Sequence, residues 1–435
     1  MEKEIIVRKT ELQKRLVVGT PVNNLPFEVL TQVFHYLPLR VLFRLPQVCK
    51  HWDTIASNAR SLWYNVDLSQ ASVKPLLLLG VAKKSRDCLK SLKLDSVRLQ
   101  DKDLKPLIEF KCFKTLESLS VHDASRLSMV GMNTILIKSP LTTLSLRNAV
   151  SLKPQTIINL LKYIPTLIRL DIATSHVDVV TAPVSNASHV HKLKAFVAFE
   201  TNVSDYLIGI ITKCCLHLEE LDISRTSCTN HVLRDLTRCP QLQCFKFNDG
   251  SVSLMPVFVE FLTSVPRLRS FHMSDCPTFT DTHLQLISIH CNLLEELVVS
   301  RCANILDTGL LHLSLVAKTL TRLEIAHCPR LTSHGVKTVL QFCHELTHVD
   351  LSANYFVTDD VLLPLHNTRM LTWLQLASTP VTSLGVFKLF RDKIGLKFNY
   401  ICLDDCEQVR KQVVDDMKKE ARVWGGTVSA VMGRR

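Results

Sequence analysis

Apolar residues return along this chain in the order L-x-x-L-x-L, with other apolar types admitted at each place. Copies start at Leu89, Leu116, Leu141, Leu167, Leu193, Leu218, Leu242, Leu268, Leu294, Leu320, Leu346, Leu371 and Phe398, at intervals of 24 to 27 residues. A degenerate copy, Trp63-x-x-Val66-x-Leu68, lies 26 residues before the first, which makes about fourteen units. Each copy predicts a short strand whose later apolar positions turn inward while the residues between them turn outward. Further on in each unit, apolar residues fall at helical spacing, as at Leu284, Leu286 and Ile287, at Leu310, Leu311, Leu313 and Val316, and at Val336, Val339 and Leu340. One strand with one helix cannot bury its own apolar face, whereas stacked neighbours can. The period therefore predicts an α/β solenoid, with a parallel sheet on the concave side and helices on the convex side.

The repeat does not extend upstream of Trp63, and residues 22–57 follow a different pattern. Leu30, Val33, Phe34 and Leu37 fall at i, i+3, i+4 and i+7, one apolar stripe of a helix. Asn24 ahead of Leu25-Pro26 suits the start of that helix, where the missing N–H of proline does no harm. Pro38 ends it, a second helical stretch runs from Leu39 through Leu45, and Pro46 opens a third that ends near Ser57. Three helices this short leave apolar surface uncovered, as an obligate partner would require.

Composition narrows the function. A chain of 435 residues, 46% hydrophobic and 21% charged, has a globular composition, and only 12 glycines argue against glycine-rich phosphate loops. No apolar run reaches the roughly 18 residues of a spanning helix, and residues 1–21 lack a signal-peptide core. An intracellular protein of the cytoplasm or nucleus is expected, without a membrane span. The 15 cysteines are scattered and form no paired CxxC elements, so they read as reduced packing residues, and no metal or other cofactor is expected. Cys276, Cys302, Cys328 and Cys406 stand eight places after their strand starts, where other units carry Ala124, Ala149, Ser175 or Thr226. No nucleophile–base signature, phosphate loop or HExxH motif is present, and no catalytic residue is assigned.

The anchors within residues 22–57 resemble the F-box motif: Leu25-Pro26, Glu28, Phe34-x-Tyr36-Leu37 and Val48-Cys49-Lys50-x-Trp52. Segments such as Cys276-Pro-Thr-Phe-Thr-Asp and Cys328-Pro-Arg-Leu-Thr-Ser-His-Gly resemble the cysteine-containing leucine-rich repeat. Together they make the chain similar to the F-box/leucine-rich-repeat family, the substrate receptors of cullin–RING ubiquitin ligases. That resemblance implies a non-catalytic subunit whose F-box docks the Skp adaptor, which bridges to a cullin scaffold and RING subunit. Carried onto this sequence, it implies adaptor contacts at Leu25, Pro26, Leu30, Phe34, Leu37, Leu42 and Leu45, with Val48, Cys49 and Trp52 closing the module's own core. Pro46 departs from the pattern, because many members carry Ser or Arg there, and the start of the third helix is expected to shift.

Outward residues on the concave face fall two, four, six and seven places after each start. They comprise thirteen acids, among them Asp222, Glu324, Asp350 and Asp404, against seven bases, among them Arg225 and Arg301. That face is therefore six charges negative although the whole chain carries +12, and the basic excess belongs to the convex face, loops and ends. Phe199, Trp373 and Tyr400 also point outward, and aromatics with arginines most often anchor interfaces. The substrate site is expected at Phe199, Asp222, Arg225, Arg301, Glu324, Asp350, Trp373, Tyr400 and Asp404. Trp373 and Tyr400 are expected to form one pocket for an apolar, basic segment of a protein.

The expected organisation is an N-terminal tail (1–21), an F-box-like helical module (22–57), a leucine-rich-repeat solenoid (58–409) and a basic C-terminal cap or tail (410–435). The expected function is substrate recognition within a Skp–cullin–F-box ubiquitin ligase. A non-degradative binding scaffold is the alternative. A nucleic-acid or membrane-surface protein would have to use the convex face and tail, since the acidic concave sheet suits neither, and no nucleic-acid partner is expected.

Overall fold

A computed structural model of the chain describes residues 22, 25–69, 75–96, 99–123, 126–148, 152–177, 191–366, 368, 370–392 and 398–430. The tail at 1–21, Asn24, Ala124, Ala149 and residues 431–435 lie outside the described residues. The chain divides into two compact units, Met1–His176 and Val177–Arg435.

The first unit opens with helices α1 (Phe27–His35), α2 (Leu39–Leu42) and α3 (Lys50–Asn58). Pro26 caps α1 with extended backbone, and Pro38 does the same for α2, so each proline stands where no helical N–H is missed. Pro46 falls inside a 3-10 turn, Leu45–Gln47, and extended Cys49 then separates this turn from α3. The third helix accordingly starts at Lys50, four residues later than the proline suggested. Leu30, Phe34, Leu42, Leu45, Ile55 and Ala56 pack together, and the same cluster takes in Leu62, Trp63 and Cys88 from the first repeats. Trp63 donates its indole N–H to the carbonyl of Ala56 at 2.8 Å. Helices this short fill only half a core, and the first repeat supplies the rest.

Five parallel strands follow in this unit, each paired with the next: β1 (Asn65–Asp67), β2 (Ser91–Lys93), β3 (Ser118–Ser120), β4 (Thr143–Ser145) and β5 (Arg169–Asp171). The second unit holds ten more in the same order: β6 (Ala195–Val197), β7 (Glu220–Asp222), β8 (Cys244–Lys246), β9 (Ser270–His272), β10 (Glu296–Val298), β11 (Arg322–Glu324), β12 (His348–Asp350), β13 (Trp373–Gln375), β14 (Tyr400–Cys402) and β15 (Thr427–Ser429). The middle residue of each strand from β7 to β14, such as Leu221, Phe245, Leu297 and Ile401, is buried. Burying a side chain of this size contributes about 1.5–3 kcal/mol, repeated at every unit. The basic stretch at 410–435 is no loose tail where it is described: Lys411–Trp424 is helical, Gly425 ends that helix at φ +80°, and β15 pairs with β14.

One backbone device recurs in both units. The residue seven places after each start adopts a left-handed conformation, from Ser96 and Asp123 through Arg301 and His327 to Asp405, with φ between 45° and 62°. None of these thirteen is glycine. The turn aims the amide at the neighbouring unit: Arg225 donates to the carbonyl of Asn248, Asp249 to Ser274 and Asp275 to Ser300, each within 2.8–2.9 Å. The next position holds a small donor that ties down a carbonyl. Cys302 reaches Met273 at 3.2 Å, Cys328 reaches Val299 at 3.5 Å and Cys406 reaches Leu376 at 3.0 Å. Asn354 does the same for Ile325 at 2.9 Å.

Candidate functional site

Two surfaces hold the residues singled out by sequence. On the helical module, α1 turns Leu30 and Phe34 into the core, and Leu42 and Leu45 follow them. Four of the seven residues expected to meet an adaptor are thus buried, Leu37 is half-buried, and Leu25 and Pro26 are exposed. Conversely Val48, expected inside, is 55% exposed, while Cys49 and Trp52 are half-buried. The exposed apolar side chains are Val22, Leu25, Phe27, Val29, Val33, Tyr36, Val41 and Val48, with Tyr36 90% exposed. A groove of about 210 Å³ runs between them, walled by Val22, Val33, Val41 and Val48 and floored by Leu30, Phe34 and Leu45. Trp52 packs edge-on against Phe34 with centroids 5.2 Å apart, and its indole nitrogen finds no acceptor among the described residues. This density of uncovered apolar side chains on so small a module marks an interaction surface.

The second surface is the open face of the sheet in the second unit. His348, Trp373 and Tyr400 occupy one register position on three successive strands. Their rings stack, with centroids 5.9 Å and 4.2 Å apart and interplanar angles of 25° and 26°. The stack closes the space that a pocket between Trp373 and Tyr400 would need, so the two rings form a ladder instead. Beside it Arg322 donates to Glu324 at 2.7 Å on the same strand. Burial pushes the His348 imidazole below its ordinary range, with the neighbouring guanidinium adding to the effect.

Most of the remaining outward acids serve the fold. Asp222 and Asp350 accept the amides of Ser224 and Ser352 at 3.1 Å and 2.9 Å, which the left-handed turn leaves outside the strand ladder. Burial raises the Asp350 carboxyl above the usual range. Arg301 lies 3.3 Å from Asp275, and Asp404 accepts from the Ser429 hydroxyl at 2.9 Å. Phe199 lies 5.8 Å beneath the Arg225 guanidinium, which shields part of its ring. Several of the outward acids are therefore engaged by amides, a hydroxyl or an arginine within the sheet, and the aromatic ladder stands apart from that pattern.

Two His-centred networks carry no local motif in the sequence, because His122 and His272 each meet an acid about one repeat away. In the first unit His122 approaches Asp95 through Nδ1 at 3.4 Å and Ser145 through Nε2 at 2.7 Å. The order matches a hydrolytic triad, but Ser145 is a strand residue, and the next amide, of Leu146, donates to the Asp171 carbonyl at 2.7 Å. Amides committed to the sheet cannot converge on an oxyanion. In the second unit Ser270 and Glu296 both meet Nε2 of His272, at 3.0 Å and 3.5 Å, and a relay needs opposite ring nitrogens. Both clusters clamp strands together. Among the described residues no group of three or more His, Cys, Asp and Glu side chains is placed to hold a metal ion, and no helix is long and apolar enough to cross a membrane.

Comparison with known proteins follows the same division. The F-box-like family matches residues 22–69. F-box/LRR-repeat protein 12 of Bos taurus is 38% identical over 55 residues, which is 13% of this chain and 17% of that protein. The match thus spans a small part of either protein. Among solved structures, an internalin (inlF) of Listeria monocytogenes aligns with a TM-score of 0.50 at 14% identity, over 85% of this chain and 93% of its own. A chain of the yeast Rad7 and Elc1 complex aligns with a TM-score of 0.54 at 17% identity, over 88% of this chain and 90% of its own. The fold is that of a leucine-rich-repeat protein, and an F-box-like module precedes the repeats.

Proposed function

We propose, for a chain that couples an F-box-like module to leucine-rich repeats, that it is the substrate receptor of a Skp–cullin–F-box ubiquitin ligase. The module docks a Skp-type adaptor, the repeats hold a protein partner on the open face of the sheet, and a recruited conjugating enzyme modifies that partner. The receptor supplies proximity, which raises the effective concentration of the reacting groups, and performs no chemistry itself.

One observation carries this reading. Val33, Val41, Val48 and their neighbours stand exposed around an apolar groove on a module too small to cover them. Surface of this kind is stable in solution when a partner lies over it. The adaptor contacts we assign are Leu25, Pro26, Phe27, Val33, Tyr36, Val41 and Val48, with Leu30, Phe34, Leu37 and Leu45 shaping the groove from below.

The test is co-purification of adaptor and cullin with the full chain. Wild type is expected to capture both. Val33→Asp with Val48→Asp, or Leu25→Ala with Pro26→Ala, is expected to lose both while the repeats stay folded. Cullin recovered in full by these variants would refute the assignment. A partner that binds the repeats but keeps its level and ubiquitination when the chain is depleted would favour a binding scaffold instead.

A further inference from the structure

We infer that the open face of β11–β14 binds an extended basic peptide, which lies along the Trp373–Tyr400 ladder and places an arginine or lysine at Asp405. This rests on the receptor reading and specifies what its substrate surface takes.

The ladder decides the shape of the ligand. Three stacked rings cover one another's faces, so they present edges, and the 4.2 Å spacing of Trp373 and Tyr400 leaves no slot between them. The row is a rail and suits a chain running across the strands. After β12 and β13 the outward positions hold only small residues, Ser352, Ala353, Ala377 and Ser378.

Charge decides its sign. The open face of these four units carries Glu324, Asp350, Asp404 and Asp405 against Arg322, and Glu324 already holds Arg322. Asp405 is exposed on the left-handed turn at the end of β14. Ring edges bear the positive end of the aromatic quadrupole, so a cation avoids the ladder itself. Its aliphatic stem can cross the rings while its head reaches the carboxylate beyond them. Strands lie about 4.8 Å apart, so β12 to β14 spans about 10 Å, or roughly three residues of extended chain. The ligand should therefore carry an apolar residue and a cation about three positions apart.

The probe is a phage library of random dodecapeptides, selected on the immobilised full-length chain, with an enriched sequence then synthesised and titrated. Enriched peptides should be basic, with the stated spacing. Trp373→Ala should weaken the synthetic peptide about tenfold or more, as truncating an aromatic anchor does. Trp373→Phe, which keeps a ring in the stack, should retain most of the affinity. Asp405→Asn, a residue that tolerates the left-handed turn, should weaken binding and flatten its dependence on salt. Selection of acidic peptides, selection of none, or an affinity unchanged by Trp373→Ala overturns the inference. Adaptor capture by the same preparations is scored separately, since a chain that binds these peptides but no adaptor keeps this site and loses the receptor assignment.

Discussion

Asp307 and Thr332 lie one repeat apart, and the carboxylate of the first satisfies both polar groups of the second: the Thr332 amide donates to it at 2.9 Å and the hydroxyl at 2.5 Å. Asp101 holds Ser128, Asp205 holds Thr229 and Asp359 holds Thr382 in the same way. Asp307 also stands in the first turn of its own helix, where negative charge meets the positive end of the dipole. One side chain thus fixes the start of two helices, and unlike the strand ladder it does so on the helix layer.

This clamp needs room. A Cβ on Gly335 would stand 2.4 Å from the Asp307 carboxylate, so that glycine answers to close approach and not to a special backbone angle. Asp307→Ala should cost about 1–2 kcal/mol, the loss of a cap and its hydrogen bonds. Gly335→Ala should also destabilise, by displacing the carboxylate. The double variant should cost somewhat less than the two single losses added together, because the carboxylate that a methyl group at position 335 would displace is gone, while alanine at position 307 keeps a Cβ 2.6 Å from that methyl. Amide exchange across Ser333–Leu340 measures it, and strict additivity would show that the contact is incidental.

The left-handed turns give a prediction of opposite sign. Ala353 sits at φ +55° and is buried, with no polar side chain to ease the strain. An L-residue pays roughly 1–2 kcal/mol there, while glycine loses about 0.5–1 kcal/mol of chain entropy. Ala353→Gly should therefore stabilise the repeat slightly, by up to about 1 kcal/mol. A lower midpoint in urea would mean that the missing methyl matters more than the strain.

Periodicity made the strands legible, because every unit from Leu89 to Phe398 repeats the same inward leucines, and those residues are the core. It could not reveal β15, whose unit begins at Gly425 and offers only Val428 as an inward residue. Nor could it divide the stripe on α1. Leu30, Val33, Phe34 and Leu37 span a wider arc than the buried face, and tertiary packing alone turns Leu30 and Phe34 in and Val33 out. Register puts Asp222 and Asp350 at the ends of β7 and β12, each beside a buried middle residue. Their engagement with the Ser224 and Ser352 amides depends on the turn that follows, which has no fixed residue type to betray it.

The division on α1 is itself testable. Phe34→Ala opens a cavity in the shared core and should cost about 3–5 kcal/mol, enough to unfold the module. Val33→Ala, on a residue 48% exposed, should change stability by less than about 0.5 kcal/mol. Urea unfolding followed by the fluorescence of Trp52 and Trp63 separates the two, and similar losses for both would place Val33 in the core.

The cysteines should differ sharply in reactivity. Burial pushes the Cys328 thiol up to about 11 and those of Cys291 and Cys343 up to about 12, so at neutral pH they are protonated as well as enclosed. Cys49 is half-buried beside exposed Val48. Iodoacetamide on the native chain at pH 7.5 should modify Cys49 well before those three, as peptide mass analysis would show. An adaptor seated on the module should slow that reaction.

Two carboxylates of the sheet should respond to acid in opposite directions. Hydrogen bonding to His272 holds Glu296 down to about 2 despite partial burial, with the Ser270 hydroxyl and the charges of His272 and Arg322 adding to it. Its ionised form is favoured in the fold, so its contribution is complete above about pH 4.5 and disappears as pH falls towards 2. Glu296→Gln should therefore be less stable than wild type at neutral pH, with the two converging near pH 2. The effect will be modest, since 39% of that side chain is exposed and water screens the pair. Burial shifts Asp350 upward from 3.8, so its charge opposes folding and protonation relieves it. Asp350→Asn keeps an oxygen for the Ser352 amide and should stabilise the chain at neutral pH, with the gain fading as pH falls through the wild-type carboxyl's raised range. Urea midpoints for both variants between pH 2 and 7 test the pair, and a common sign would contradict the assignment of hydrogen bonding to one and burial to the other.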